Sequence, residues 1–139
     1  MRRQYLSGGL PVPEGMDAKY RASFRRMLDL VAELHRSGVT IVAGTDALPG
    51  FSLHRELELY VQAGIPNADV LRIATLTAAQ ILKRDHDLGT IEAGKLADFI
   101  IVDGDPTRNM SDIRRIVTVV KDGLVFDPNA LYAEVGVRQ

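Results

Sequence analysis

Apolar positions recur at helical spacing in the first half of the chain and as short uninterrupted runs in the last third. Tyr20, Phe24, Met27, Leu28, Val31 and Leu34 share one helical face, opposite Arg21, Arg25, Arg26 and Glu33, which predicts an amphipathic helix. Asp17 is placed to cap its start and Ser37-Gly38 to stop it. Val39 to Ala43 is apolar and β-branched without alternation, the pattern of a strand covered on both faces, as in a parallel sheet. After a loop from Thr45 to Ser52, the residues Leu53, Leu57, Tyr60 and Val61 form a second helical stripe. It ends at Gly64, before Ile65-Pro66 breaks the pattern.

A third helix starts at Asn67 or Asp69 and passes through Val70, Ile73 and Ala74. Thr77-Ala78-Ala79-Gln80 has the spacing of a capping box, which predicts a separate short helix after it. Beyond Arg84 the character changes. Leu88 to Ile91, Ala97 to Val102 and Ile116 to Val120 are strand-like runs punctuated by glycine-bearing turns. Asp122-Gly123 between two apolar runs predicts a hairpin that Asp127-Pro128 ends, and the tail holds one helical turn around Leu131 and Tyr132. Residues 1–16, with Gly8, Gly9, Pro11, Pro13 and Gly15, read as a loop or arm. No internal repeat or low-complexity tract is present.

A chain of 139 residues is long enough to bury a core. Its 17 basic and 18 acidic side chains leave a net charge of -1, which gives no electrostatic footprint for nucleic acid or for an anionic membrane surface. The absence of cysteine removes disulfides and thiolate metal sites. The N-terminus lacks the apolar core of a signal peptide, and no apolar stretch approaches the length of a membrane span, so the expected compartment is the cytoplasm.

The most informative polar residue is Asp46, which follows Ala43-Gly44-Thr45 at the end of the expected strand. Together with Leu53-His54-Arg55-Glu56-Leu57, Leu76-Thr77-Ala78-Ala79-Gln80-Ile81-Leu82 and Leu88-Gly89-Thr90-Ile91-Glu92-Ala93-Gly94-Lys95-Leu96-Ala97-Asp98, this stretch resembles the C-terminal part of metal-dependent amidohydrolases of the imidazolonepropionase-like and prolidase-like branch. The resemblance implies an α/β fold: the C-terminal part of a (β/α)8 barrel over residues 1–84, followed by a small β-sandwich subdomain over 85–139. It also implies zinc or another divalent metal in the complete enzyme, small amide or dipeptide substrates, and Asp46 both as a metal-site residue and as the proton shuttle.

The rest of the implied metal site has no counterpart here. His35, His54 and His86 are the three histidines, and no His-x-His pair occurs. One carboxylate cannot hold a metal with a position left open. The chain is therefore expected to bind no metal tightly alone and to need an N-terminal half for hydrolysis of a C-N bond. On its residues alone, Asp46 reads equally as a turn cap. His54 either faces the pocket and touches substrate or is a helix histidine bonded to a carbonyl, and Thr45 shapes the pocket edge. His35 and His86 read as structural, and Glu92, Lys95 and Asp98 as turn residues of the β-rich part. The alternative of a different class is a non-catalytic module that self-associates or pairs with a partner chain, because removing most of a barrel uncovers apolar helix faces and unpaired strand edges.

Overall fold

The computed structural model describes residues 12–45, 52–134 and 136, and the chain divides into two compact units, Met1–Ala74 and Thr75–Gln139. In the first unit, helix α1 spans Asp17–Arg36, α2 Ser52–Gln62 and α3 Asn67–Arg72. α2 packs against both of the others, and Ala32, Leu57, Ile65, Val70 and Ile73 are buried. Asp17 does not cap α1: Met16 holds that position without a side-chain cap bond. Asp17 instead lies in the first turn and pairs with Arg21 at 2.6 Å, where a negative charge favours the helix N-terminus and an ion pair one turn apart adds support. The far end stops as expected. Gly38 takes φ +76° and its N–H reaches the His35 carbonyl.

The apolar stripe of α1 divides. Leu28 and Val31 are half-buried beside the buried Ala32, whereas Tyr20, Phe24, Met27, Leu30 and Leu34 are exposed. The expected strand at Val39 to Ala43 does not form, because a strand is defined by a neighbour's N–H and C=O groups and no described residue pairs with this segment.

The expected break at Thr77 is also absent. α3 runs without interruption into a π-helical turn over Ile73–Thr77 and then α4 over Ala78–Ile81. Thr77 is itself helical (φ -62°, ψ -42°) and makes no side-chain cap bond. A π turn absorbs an extra residue within a helix, so the capping-box pattern sits inside a continuous helical run.

In the second unit, Leu88 to Ile91 forms turns rather than a strand. Gly89 explains the geometry. At φ +92°, a Cβ there would sit 2.8 Å from Leu76 Cα and 2.9 Å from Ala79 Cβ, so the loop backbone lies directly on the helical run. The turn's polar groups are taken up locally, with Lys95 Nζ donating at 2.6 Å to both the Asp85 carbonyl and Thr90 Oγ1.

The sheet is antiparallel in the order β1-β2-β3, with β1 at Phe99–Val102, β2 at Ile116–Lys121 and β3 at Leu124–Phe126. The register shifts at Ile101/Val102, which leaves Val117 without an opposite residue, as at a β-bulge. Asp122 and Gly123 both have positive φ (51° and 77°), the two-residue turn that the Asp-Gly pair predicts. Asp98 staples this turn: it accepts the Asp122 N–H at 2.7 Å and Lys121 Nζ at 2.9 Å. The Asp122 N–H first, and Lys121 second, hold its carboxyl below the ordinary aspartate range. A seven-residue helix, α5 at Pro128–Glu134, lies against β2. No helix among the described residues is long and apolar enough to cross a membrane.

Two outcomes follow for stability. Gly89 and Gly94 both have positive φ, but a Cβ at Gly94 meets nothing within 4 Å. Gly89→Ala therefore adds overpacking to the backbone strain that both substitutions share, and should be about 1–3 kcal/mol less stable than Gly94→Ala by urea unfolding. For Asp98, a folded-state pKa below the unfolded value means stability that is present above about pH 4 and lost as pH falls through the folded value. The urea midpoint of the native chain should fall more steeply between pH 5 and pH 2.5 than that of Asp98→Asn.

Candidate functional site

The candidate site is built where the segment after α1 meets the start of α2. Residues 46–51 lie outside the described residues, and Asp46 with them. Their flanks are well defined. Thr45 Oγ1 and Ser52 Oγ are 2.6 Å apart, so the two hydroxyls link the residues on either side of that stretch. Two turns into α2, Glu56 reaches back to the same segment: its two carboxylate oxygens stand 3.2 and 3.1 Å from the Gly44 nitrogen, which donates to them.

Tyr60, one helical turn after Glu56, completes the arrangement. Its hydroxyl donates to Glu56 Oε1 at 2.6 Å and has the Val42 carbonyl as a second acceptor at 3.2 Å. A phenol carries a single hydrogen, and the short contact to an ionised acceptor claims most of it. Burial first, then the bond to Glu56 and its negative charge, push the Tyr60 hydroxyl well above the ordinary tyrosine range. Gly44 is thus tied to α2 through its backbone N–H and Thr45 through its hydroxyl, with the Val42 carbonyl close to the Tyr60 phenol.

Of the residues that sequence picks out, Thr45 is exposed and paired with Ser52, and His54 is half-buried in the first turn of the same helix. His35 lies 3.7 Å from Asp69 on α3, and His86 lies 3.3 Å from Asp87 in its own turn. The histidines are therefore spread over separate elements. Among the described residues no group of three or more His, Cys, Asp or Glu side chains could hold a metal ion, so the described part of the chain does not fit a metal centre by itself.

Glu56 and Tyr60 escape a reading of the sequence for chemistry, because an acid on an amphipathic helix ordinarily marks the solvated face. The available signal was their spacing of four, which places a phenol and a carboxylate on one helical face, and the position of Glu56 inside the Leu53-His54-Arg55-Glu56-Leu57 stretch.

Helices followed by a three-stranded antiparallel sheet define a mixed α/β chain. The profile of the Amidohydrolase family matches residues 16–125, and the chain belongs to that family. It is 38% identical over 99 residues to an adenine deaminase of Klebsiella pneumoniae, a match covering 64% of this chain and 16% of the relative. An imidazolonepropionase of Brevibacillus brevis is 31% identical over 112 residues, covering 75% of this chain and 25% of that one. A crystal structure of a Xaa-Pro dipeptidase with methionine bound in its active site superposes with a TM-score of 0.68 at 34% identity, covering 73% of this chain and 25% of the dipeptidase. The chain thus spans a quarter or less of the length of these proteins.

The Tyr60 environment gives a titration outcome. A folded-state pKa above the unfolded value near 10 means stability present below about pH 10 and lost as pH rises through the folded value. Absorbance titration at alkaline pH should show one tyrosine ionising late. Tyr60→Phe should remove that component and flatten the alkaline fall in the urea midpoint, and an unchanged titration curve would show that another tyrosine is the late one.

Proposed function

We propose that this chain is the C-terminal part of a metal-dependent amidohydrolase that hydrolyses a C-N bond, with Asp46 as its acid/base group and with no hydrolysis by the chain alone. Residues 1–84 act as the last portion of the barrel and 85–139 as the β-rich composite subdomain. Family membership carries the reaction class, and the chain's span of a quarter or less of the length of its relatives supports the need for additional chain.

The uncovered apolar surface supports the same reading. Tyr20, Phe24, Met27, Leu30 and Leu34 along α1, and Val39 and Val42 after it, are all exposed. Contiguous apolar patches on soluble proteins mark surfaces that another element covers. The segment Val39 to Ala43 has the composition of a central parallel strand and no ladder partner among the described residues. A neighbouring strand from the remainder of a barrel would supply one, and a complementary N-terminal polypeptide fits both needs. Self-association with loss of catalysis is the second reading, favoured by the same exposed surface.

In the assembled enzyme, Asp46 takes a proton from the attacking water and delivers it to the leaving nitrogen, which a carboxylate does well when held within hydrogen-bond reach of both. Thr45 and His54 flank it in sequence and line the substrate side. Small amides, dipeptides or cyclic amides are the substrate class, and the metal ligands other than Asp46 come from the complementary portion.

Fusion of the chain to the N-terminal portion of a prolidase-like relative tests this. The fusion should hydrolyse dipeptides or cyclic amides in a zinc-dependent manner. Asp46→Asn should lower kcat by about 10²–10⁴-fold, while the 139-residue chain alone should show neither hydrolysis nor stoichiometric zinc binding. Hydrolysis by the isolated chain would refute the proposal, and a strict monomer in light scattering would remove the self-association reading.

A further inference from the structure

The partners of Glu56 are a backbone amide and a phenol rather than a cation. It lies within the family match but belongs to none of the roles assigned above. Its two oxygens take the Gly44 N–H, and Tyr60 binds Oε1 while also standing 3.2 Å from the Val42 carbonyl. Both backbone groups belong to the segment that leads to Asp46, and Gly44 precedes it by two residues.

The segment from Val39 to Gly44 has no ladder among the described residues, so its backbone groups must be held by something else or by water. At Gly44 a helix side chain does this from a distance of twelve residues. The bond is charge-assisted, and hydrogen bonds of that kind are roughly twice as strong as neutral ones. Tyr60 bonds to Glu56 Oε1 at 2.6 Å from one turn further along α2, which restrains the acceptor's side chain.

We propose that Glu56, supported by Tyr60, is a positioning residue that fixes the backbone at Gly44, two residues ahead of Asp46 in the sequence, and acts on catalysis through it. The role rests on the function proposed above. Glu56 touches no substrate. Its effect passes through the backbone, and displacement of about 1 Å in a catalytic group is enough to cost about 10²-fold in rate.

The anchor is measurable in the 139-residue chain without any activity. In a pH titration followed by NMR, the Gly44 amide resonance should move with the same midpoint as the Glu56 carboxyl carbon. Glu56→Ala should reduce hydrogen-exchange protection of the Gly44 amide by about tenfold. Glu56→Gln can still offer one oxygen to Gly44 and an N–H to the phenol oxygen, so it should lose only about threefold. Glu56→Asp keeps the charge but is one methylene too short, and should resemble alanine.

A Gly44 amide that ignores both the titration and the substitutions overturns the proposal, and the titration of the native chain decides the matter if Glu56→Ala fails to fold. In the fused enzyme, Glu56→Ala should lower kcat about 10- to 100-fold with KM changed less than about threefold. A shifted Gly44 amide with unchanged kcat also overturns the positioning role. An inactive fusion carrying the native Glu56 would instead count against the function proposed for the family segment, with the amide measurements still deciding whether the anchor exists.

Discussion

A backbone N–H that no helix or sheet ladder takes up needs another acceptor, and in three loops this chain supplies one with a carboxylate. Glu56 accepts from Gly44 in the α1-to-α2 segment, Asp98 accepts from Asp122 at the hairpin turn, and Asp112 accepts from Asp105 in the loop after β1. Each joins positions distant in sequence or on opposite sides of a turn. An ionised acceptor makes a stronger bond to an amide than a carbonyl does, and its two oxygens accept a second donor without losing the first. Lys121 at Asp98, Tyr60 at Glu56 and Asn109 at Asp112 are those second donors. The loops are therefore held by specific side chains where little apolar surface is buried around them.

The first unit needs such pins because its apolar packing is one-sided. Leu57 and Val70 are almost completely buried, while the outer stripe of α1 faces solvent. Burial stabilises by roughly 25 cal/mol for each Å² removed from water, so an exposed Phe24 or Met27 contributes little until something covers it.

The elements that sequence revealed most clearly are those whose cause is local. The Ser37-Gly38 stop, the Asp122-Gly123 turn and the amphipathic spacing of α2 each depend on a few adjacent residues, and each is present. Val39 to Ala43 and Leu88 to Ile91 have strand-like composition, but a strand also requires a partner. The first finds none among the described residues, and Gly89 lays the second against a helix. Thr77 carries the letters of a capping box, yet a cap exists only where the helix begins, and here a π turn carries the helix through. At the candidate site, Thr45 and His54 stood out by residue type. Glu56 and Tyr60 did not, because what distinguishes them is a contact across twelve and eighteen residues.

The long motif from Gly89 to Asp98 was the most specific sign of the family, and its residues now have physical reasons that concern architecture. Gly89 permits backbone to touch helix, Lys95 gathers a turn, and Asp98 staples a hairpin. None of these tasks depends on what is hydrolysed. An adenine deaminase, an imidazolonepropionase and a Xaa-Pro dipeptidase act on chemically different molecules, yet each matches this chain over more than 60% of its length. A segment shared among such enzymes is expected to carry the scaffold, while groups that discriminate substrates sit on elements that differ. The residues that make the resemblance are thus ones that hold the backbone in place.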